Sequence, residues 1–150
     1  MNSEIRILIN KRDLNMDKNH FEQVETSSKP NGSGLTRILK AMRCSFLGLK
    51  AAYIHESAFR QELCLSLLLL PISLFIANSG TQLALLIGSS ILLLLVEVIN
   101  SAIEAVVDRI GLEHHELSGR AKDLGSAAVF LALCFCAITW AGILFDNYFS

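Results

Sequence analysis

The sequence predicts an all-α membrane protein, in which an amphipathic surface helix is followed by three transmembrane helices. Hydrophobic residues make up 52% of the 150 positions and charged residues only 18%, whereas a soluble domain carries about 25% charged residues. The charges are also segregated, because ten of the thirteen Lys and Arg lie within residues 1–62. No charge occurs in the 34 positions between Glu62 and Glu97, or in the 22 between Asp123 and Asp146. One membrane-spanning helix needs roughly 20 apolar residues.

Residues 1–34 are predicted to form a polar, flexible N-terminal extension that precedes one membrane domain at residues 35–150. The extension contains five basic and five acidic residues and ends in Ser-Ser-Lys-Pro-Asn-Gly-Ser-Gly, a composition typical of flexible linkers. It has no apolar run of the length that a signal peptide requires. The net charge of the chain is −1, so no basic excess indicates a nucleic-acid partner.

Residues 35–52 are predicted to form a basic amphipathic helix on the membrane surface. Apolar residues recur there at helical spacing and fall on one narrow stripe, namely Leu35, Ile38, Leu39, Met42, Phe46 and Leu49. Basic residues lie across and beside this stripe at Arg37, Lys40, Arg43 and Lys50. Two interpretations stay open, because this helix could only anchor the protein or could also form part of a site at the interface.

Three transmembrane helices are predicted at about residues 58–77, 82–109 and 123–147. The second uncharged segment supplies one helix directly. The first is too long for one helix, and the sequence Asn-Ser-Gly-Thr at residues 78–81 divides it with a turn composition.

The distribution of Lys and Arg predicts the orientation of these helices. Five basic residues lie between Arg37 and Arg60, ahead of the first span, and three lie around the 110–122 loop. The 78–81 loop and the C-terminus have none. The positive-inside rule then places the N-terminus and the 110–122 loop in the cytoplasm. We therefore expect a multi-pass protein of the cytoplasmic (inner) membrane.

The third span carries two structural features and no obvious chemistry. Small residues on related turns, among them Gly125, Ala128 and Ala132, allow membrane helices to approach closely. Trp140 and Tyr148 lie toward its outer end, where aromatic belts form at the membrane surface.

The second span acquires an acidic stripe at its C-terminal end. At 100° per residue, five polar side chains share one face, namely Glu97, Asn100, Ser101, Glu104 and Asp108. An ionised carboxylate in hydrocarbon costs several kcal/mol, so this face must contact protein, water or a cation. Glu97 follows an unbroken apolar run, which favours a functional role. Asp108 is equally well explained by a salt bridge to Arg109, Arg120 or Lys122.

The loop that follows is rich in groups that bind phosphate and metal. Arg120 and Lys122 are phosphate-binding residue types, and carboxylates bind Mg²⁺ when substrate phosphates complete its coordination. The adjacent His114 and His115 do not have the spacing of zinc ligands. Known soluble nucleotide-binding motifs are absent, so any nucleotide is handled by an architecture specific to membranes.

Several of these runs together resemble the signature of the prokaryotic diacylglycerol kinases. The residues concerned are 97–108, 115–123 and 125–129, with 36–38 and 56–62 upstream, and the resemblance covers roughly residues 33–148. It implies a homotrimer of three-helix membrane subunits, each with a surface helix. It also implies transfer of the γ-phosphoryl group of ATP, with Mg²⁺, to diacylglycerol, giving phosphatidic acid.

The resemblance assigns roles by position. Glu97 corresponds to the catalytic base, and Glu56 and Glu104 correspond to the Mg²⁺ ligands. The nucleotide contacts are Arg37, Cys44, Glu56, Glu104, Glu113, His114, His115, Lys122 and Asp123. The lipid contacts are Arg37, Arg60, Glu62, Glu97, Asn100, Ser126 and Trp140. Cys44 and His114 depart from the family, which has aromatic residues at these two positions.

Three alternatives to a diacylglycerol kinase remain. An undecaprenol kinase of the same family would share the mechanism, although residues 119–128 resemble the diacylglycerol branch more closely. A proton or cation transporter subunit also needs intramembrane carboxylates, but it should hold them near the middle of the membrane. A structural subunit would use the acidic stripe only to pair with basic residues of a partner.

Overall fold

Every regular element in the part of the chain that the structure describes is an α-helix. The structure, a computed structural model, describes residues 34–111 and 113–149, so most of the predicted extension lies outside the described residues. The helices are α1 (Leu35–His55), α2 (Ser57–Ile76), α3 (Gly80–Ile110) and α4 (Glu116–Phe149). Helices α2, α3 and α4 are each long and apolar enough to cross a membrane. The prediction of three transmembrane helices is therefore confirmed.

The described residues fall into two units, which meet between Arg43 and Cys44 in the sequence. In the first unit, the described residues 34–43 include the beginning of α1, where Leu35, Ile38, Leu39 and Met42 are all exposed. The second unit contains the rest of α1 and the three long helices. Whether α1 lies on a membrane surface stays a prediction.

Helix α3 is central in the second unit, because it packs against both α2 and α4. The core between α3 and α4 is formed by four buried side chains, those of Leu86, Cys136, Trp140 and Ile143. Elsewhere on these helices large apolar side chains point outward; Phe75 is 87% exposed and Ile138 72%. Water would penalise such exposure, whereas lipid chains would cover it.

Helix α1 extends to His55 rather than to residue 52, and a side chain of the next helix explains its end. The last carbonyl groups of a helix lack partners within that helix. Arg60 satisfies two of them, because its Nη1 donates to the carbonyl oxygens of Tyr53 (3.0 Å) and Ile54 (3.2 Å). The chain then breaks at Glu56, which has an extended backbone and occupies the N-cap position of α2.

Helix α4 begins at Glu116 rather than at residue 123. The Nδ1 atom of His115 accepts a hydrogen bond from the backbone N–H of Leu117 at 3.2 Å, which satisfies one of the free donors at the helix start. Glu116 stands in the first turn, where a negative charge interacts favourably with the helix dipole. The prediction began this helix at Asp123, the last charge before the uncharged segment, and so omitted the polar turns that precede it.

A polar clasp, formed by Asn78, Gln82 and Asn147, joins the loop between α2 and α3 to the end of α4. Gln82 Nε2 donates to Asn147 Oδ1 at 2.8 Å, and Asn147 Nδ2 donates to the carbonyl oxygen of Ile76 at 2.8 Å. The backbone N–H of Asn78 donates to Gln82 Oε1 at 2.8 Å. The side chain of Ser79 caps α3 by accepting the N–H of Gln82. One end of each of α2, α3 and α4 is thus held at one point.

Replacing Asn147 with Ala is expected to lower the free energy of unfolding by about 1 to 2 kcal/mol, since hydrogen bonds between membrane helices contribute about 0.6 kcal/mol each. Denaturant titration in detergent would measure this loss. Thr139→Ala is the matched control on α4, because the Thr139 hydroxyl donates only to the carbonyl of Phe135 in its own helix. Equal losses for the two variants would contradict a role of the clasp between helices.

Candidate active site

The acidic stripe of α3 is buried at its first residues, Glu97 and Asn100, and exposed at its last residue, Asp108. Glu97 is only 2% exposed and Asn100 is 9% exposed. Glu104 is half-buried, and Asp108 is exposed. A carboxylate buried directly after an apolar run needs a compensating interaction. Its surroundings therefore decide what Glu97 can do.

Three further carboxylates gather around Glu97. The charges of Glu104 and Glu56 act on Glu97, and the charge of Glu97 acts in turn on Glu62. Glu62 is itself buried, and its Oε2 atom has no hydrogen-bond partner. Like charges in a medium of low polarity repel strongly, so this acidic cluster, Glu56, Glu62, Glu97 and Glu104, favours the approach of a cation or of a proton.

The break between α1 and α2 brings Glu56 into this cluster. The cavity between the end of α1 and the middle of α3 has a volume of about 310 Å³, and both Glu56 and Ser101 line it. Small residues keep it open, since Gly48, Ala51, Ala102 and Ala105 supply much of its wall. The extended backbone at Glu56 thus places a carboxylate at the edge of a space between two helices.

The carboxylates present suit Mg²⁺, whose coordination is completed by phosphates and water, better than they suit a metal ion bound by protein ligands alone. No three His, Cys, Asp or Glu side chains among residues 34–111 and 113–149 form a metal-binding group. Mg²⁺ is usually bound by one or two carboxylates, with substrate phosphates and water completing its shell. Glu56 and Glu104, whose charges both act on Glu97, are two carboxylates of the kind that such a site needs.

A second cavity, of about 400 Å³, lies between the C-terminal end of α3 and the first turns of α4. Four of the predicted nucleotide contacts line it, namely Glu113, His114, His115 and Lys122. Lys122 Nζ lies 2.6 Å from Asp108 Oδ1, so the predicted salt bridge of Asp108 is present. The structure therefore brings a cationic side chain and two histidines to one wall.

The other predicted nucleotide contacts do not line this cavity. Asp123 and Cys44 are exposed, and Cys44 is a free thiol. Arg37 is exposed and belongs to the first compact unit. Their assignment to a nucleotide stays a prediction.

The predicted lipid contacts fall into two groups. Glu62, Asn100 and Trp140 are buried, whereas Ser126 and Arg60 are exposed. Trp140 packs in the core against Leu86, so its interpretation as part of a lipid-facing aromatic belt is wrong, although its Nε1 has no partner. Arg60 has a function that its sequence position did not indicate, since it caps α1.

One contact between α3 and α4 had no counterpart among the sequence predictions. Asn100 Nδ2 donates to Glu104 Oε1 at 3.1 Å, and the same amide lies against Gly125. The run of small residues in α4 indicated close approach of helices but did not identify which polar residue it would meet.

Known proteins match this chain over the residues that form the site. The sequence profile of the family described as Prokaryotic diacylglycerol kinase matches residues 43–144. The Diacylglycerol kinase of Escherichia coli (strain K12) is 52% identical over 118 residues, which cover 79% of this chain and 97% of that protein. The Diacylglycerol kinase of Haemophilus influenzae is 50% identical over 113 residues, covering 75% and 96%. That of Pseudomonas aeruginosa is 49% identical over 112 residues, covering 75% and 91%.

These matches extend over most of the chain and nearly the full length of each relative. The profile match at residues 43–144 contains the whole acidic cluster as well as the wall formed by His115 and Lys122. The membership that the sequence motifs predicted is confirmed. This multi-pass membrane protein belongs to the prokaryotic diacylglycerol kinase family, a family of lipid kinases.

Proposed function

We propose that the protein transfers the γ-phosphoryl group of ATP to diacylglycerol, giving phosphatidic acid at the cytoplasmic face of the inner membrane. The observation that carries this proposal is the position of Glu97. It is 2% exposed, follows the apolar run of α3, and is close enough to Glu56 and Glu104 for their charges to act on it. A base at this depth meets a lipid hydroxyl, while a nucleotide remains in water.

Glu97 acts as the general base in this proposal. The lipid hydroxyl oxygen attacks the γ-phosphorus, the bond from that phosphorus to the bridging oxygen breaks, and ADP leaves with that electron pair. The proton of the hydroxyl passes to the Glu97 carboxylate. A positioned base of this kind contributes about 10² to 10⁴ to the rate.

Glu56 and Glu104 are proposed to hold Mg²⁺ together with the nucleotide phosphates. The ion supplies neutralisation of charge on the transferred phosphoryl group. Lys122, His115, His114 and Glu113 line the neighbouring cavity and are the proposed nucleotide contacts there. Arg37, Cys44 and Asp123 are proposed to complete the nucleotide site, as the family resemblance implies.

Glu62 and Asn100 are proposed to border the lipid on the buried side, with Arg60 and Ser126 on the exposed side. Trp140 and Arg37 are proposed as further lipid contacts, as the family resemblance implies. A lipid can reach such a site sideways from the bilayer.

Two features support placing α1 on the membrane surface. Its apolar stripe is exposed, with Leu35 at 70% and Phe46 at 67%, and basic residues flank that stripe.

A homotrimer with sites shared between subunits is proposed on the same resemblance. One subunit leaves buried polar atoms without partners, including Glu62 Oε2 and Ser101 Oγ. It also leaves exposed much of the apolar surface of its long helices. A neighbouring subunit would cover part of this surface and shelter the acidic cluster.

The first test is lipid phosphorylation by the purified protein in mixed micelles with Mg-ATP. Phosphatidic acid formed from diacylglycerol, in preference to undecaprenyl phosphate from undecaprenol, is the expected result. Preferential phosphorylation of undecaprenol would retain the kinase chemistry and change the substrate. A folded protein that phosphorylates neither lipid would refute both, and ion flux in liposomes would then test the transporter alternative.

A further inference from the structure

Gly125 on α4 lies so close to the side chain of Asn100 on α3 that a larger residue at position 125 would force the Asn100 amide to move. A Cβ atom at position 125 would clash with Asn100 Oδ1 and would lie 3.3 Å from Asn100 Cγ. It would be 3.9 Å from the Cα of Asn100, which is ordinary contact. The obstacle is therefore the amide group of Asn100 and not the backbone of α3.

One hydrogen bond sets the orientation of that amide. Its Nδ2 donates to Glu104 Oε1 at 3.1 Å, while its Oδ1 is buried and has no hydrogen-bond partner. A carboxylate can only accept hydrogen bonds. Rotating the amide by half a turn would place Oδ1 against Glu104 and would lose the hydrogen bond. The NH₂ group must therefore point to Glu104, and the oxygen must point to α4.

We infer that Gly125 and Asn100 are positioning residues for the Glu104 carboxylate. The missing side chain at position 125 leaves room for the Asn100 amide, and the amide holds one oxygen of Glu104. Helix α4 thereby acts on a carboxylate of α3 through a position that carries no side chain. This inference rests on the proposed function, because that proposal makes Glu104 a ligand of the nucleotide-bound metal.

A second consequence concerns Asn100, which the family resemblance placed near the lipid. Asn100 and Glu104 are four residues apart and share one face of α3, but this spacing alone leaves both side chains several rotamers. The contact with Gly125 removes that freedom for Asn100. Such outer contacts typically change metal affinity by about 10- to 100-fold when they are removed.

The test is a double-mutant cycle of Gly125→Ala and Asn100→Ala in the full-length protein. Binding of Mn²⁺ in the presence of a non-hydrolysable ATP analogue is measured by electron paramagnetic resonance, so no turnover is needed. Each single variant is expected to weaken Mn²⁺ binding by about 10-fold, and the double variant should bind like Asn100→Ala. Gly142→Ala is the control on the same helix, since a Cβ there meets nothing within 4 Å, and it should bind Mn²⁺ like the wild type.

Additive losses in the cycle would overturn the inference, because Gly125→Ala would then act other than through the Asn100 amide. Wild-type affinity in Gly125→Ala would do so as well. If Gly125→Ala does not fold, the double variant should fold, since Ala at position 100 removes the obstructing atoms; failure of the double variant would refute the contact. A wild type that binds no Mn²⁺ would refute the proposed metal site and, with it, this inference. If the wild type binds Mn²⁺ and the variants bind it with the same affinity, the inference is refuted while the proposed metal site is not.

Discussion

Glu97→Gln is expected to lower the turnover of lipid phosphorylation by about 10² to 10⁴, while nucleotide binding and the folded state are retained. Gln has nearly the same shape as Glu but cannot take up the proton of the lipid hydroxyl. Its neutral amide also removes repulsion with Glu56, Glu62 and Glu104. Measurement of kcat in mixed micelles, with binding of a fluorescent ATP analogue, checks both parts.

Glu116→Gln is the matched control, because Glu116 is an exposed acid in the first turn of α4 and has no place in the proposed chemistry. It should leave kcat within about twofold, because a change in the activation barrier below about 0.5 kcal/mol alters a rate by no more than that. A Glu97→Gln protein with kcat close to that of the wild type would mean that another group accepts the proton.

Glu104→Gln should raise the Mg²⁺ concentration that gives half-maximal activity by at least about tenfold. The substitution leaves a carbonyl oxygen to accept the hydrogen bond from Asn100, which lies 3.1 Å from Glu104 Oε1 in the wild type. The charge is therefore removed with little change in packing. Glu56→Gln should act in the same direction, because Glu56 is the other member of the proposed pair.

Titration of activity with Mg²⁺ at saturating ATP separates a loss of metal affinity from a loss of kcat. Asp146→Asn serves as the control, since Asp146 lies by the polar clasp and contacts Gln82 Nε2 at 3.4 Å. An unchanged Mg²⁺ titration in Glu104→Gln would argue against a ligand role for Glu104.

The class of fold and the burial of Glu97 were both predictable from the sequence. Charge-free segments of sufficient length identify membrane helices without any knowledge of packing. Glu97 stands directly after an apolar run, so the cost of an unshielded charge in hydrocarbon demands a protein environment. The pairing of Asp108 with Lys122 was one of the alternatives that the stripe allowed.

The side of α4 that packs against α3 was not predictable, because this helix is apolar on nearly every side. Hydrophobic periodicity identifies the buried face only when the opposite face is polar. Trp140 could therefore be assigned to a lipid-facing belt, although it packs against Leu86. The contact between Gly125 and Asn100 depends on the same rotation of α4 about its axis, which only the packed helices determine.

The polar clasp fixes one end of α3 at Gln82, so any tilt of this helix about Gln82 displaces the residues at its other end. Glu97 is fifteen residues further along the helix, or about 22 Å away at 1.5 Å per residue. Rocking α3 by one degree about Gln82 displaces Glu97 by about 0.4 Å. A misplacement of about 1 Å costs a reaction about 10²-fold, and fewer than three degrees produce it. If Glu97 is the base, as proposed, its alignment depends on small rotations of α3 at residues that lie more than half the thickness of the hydrocarbon core away.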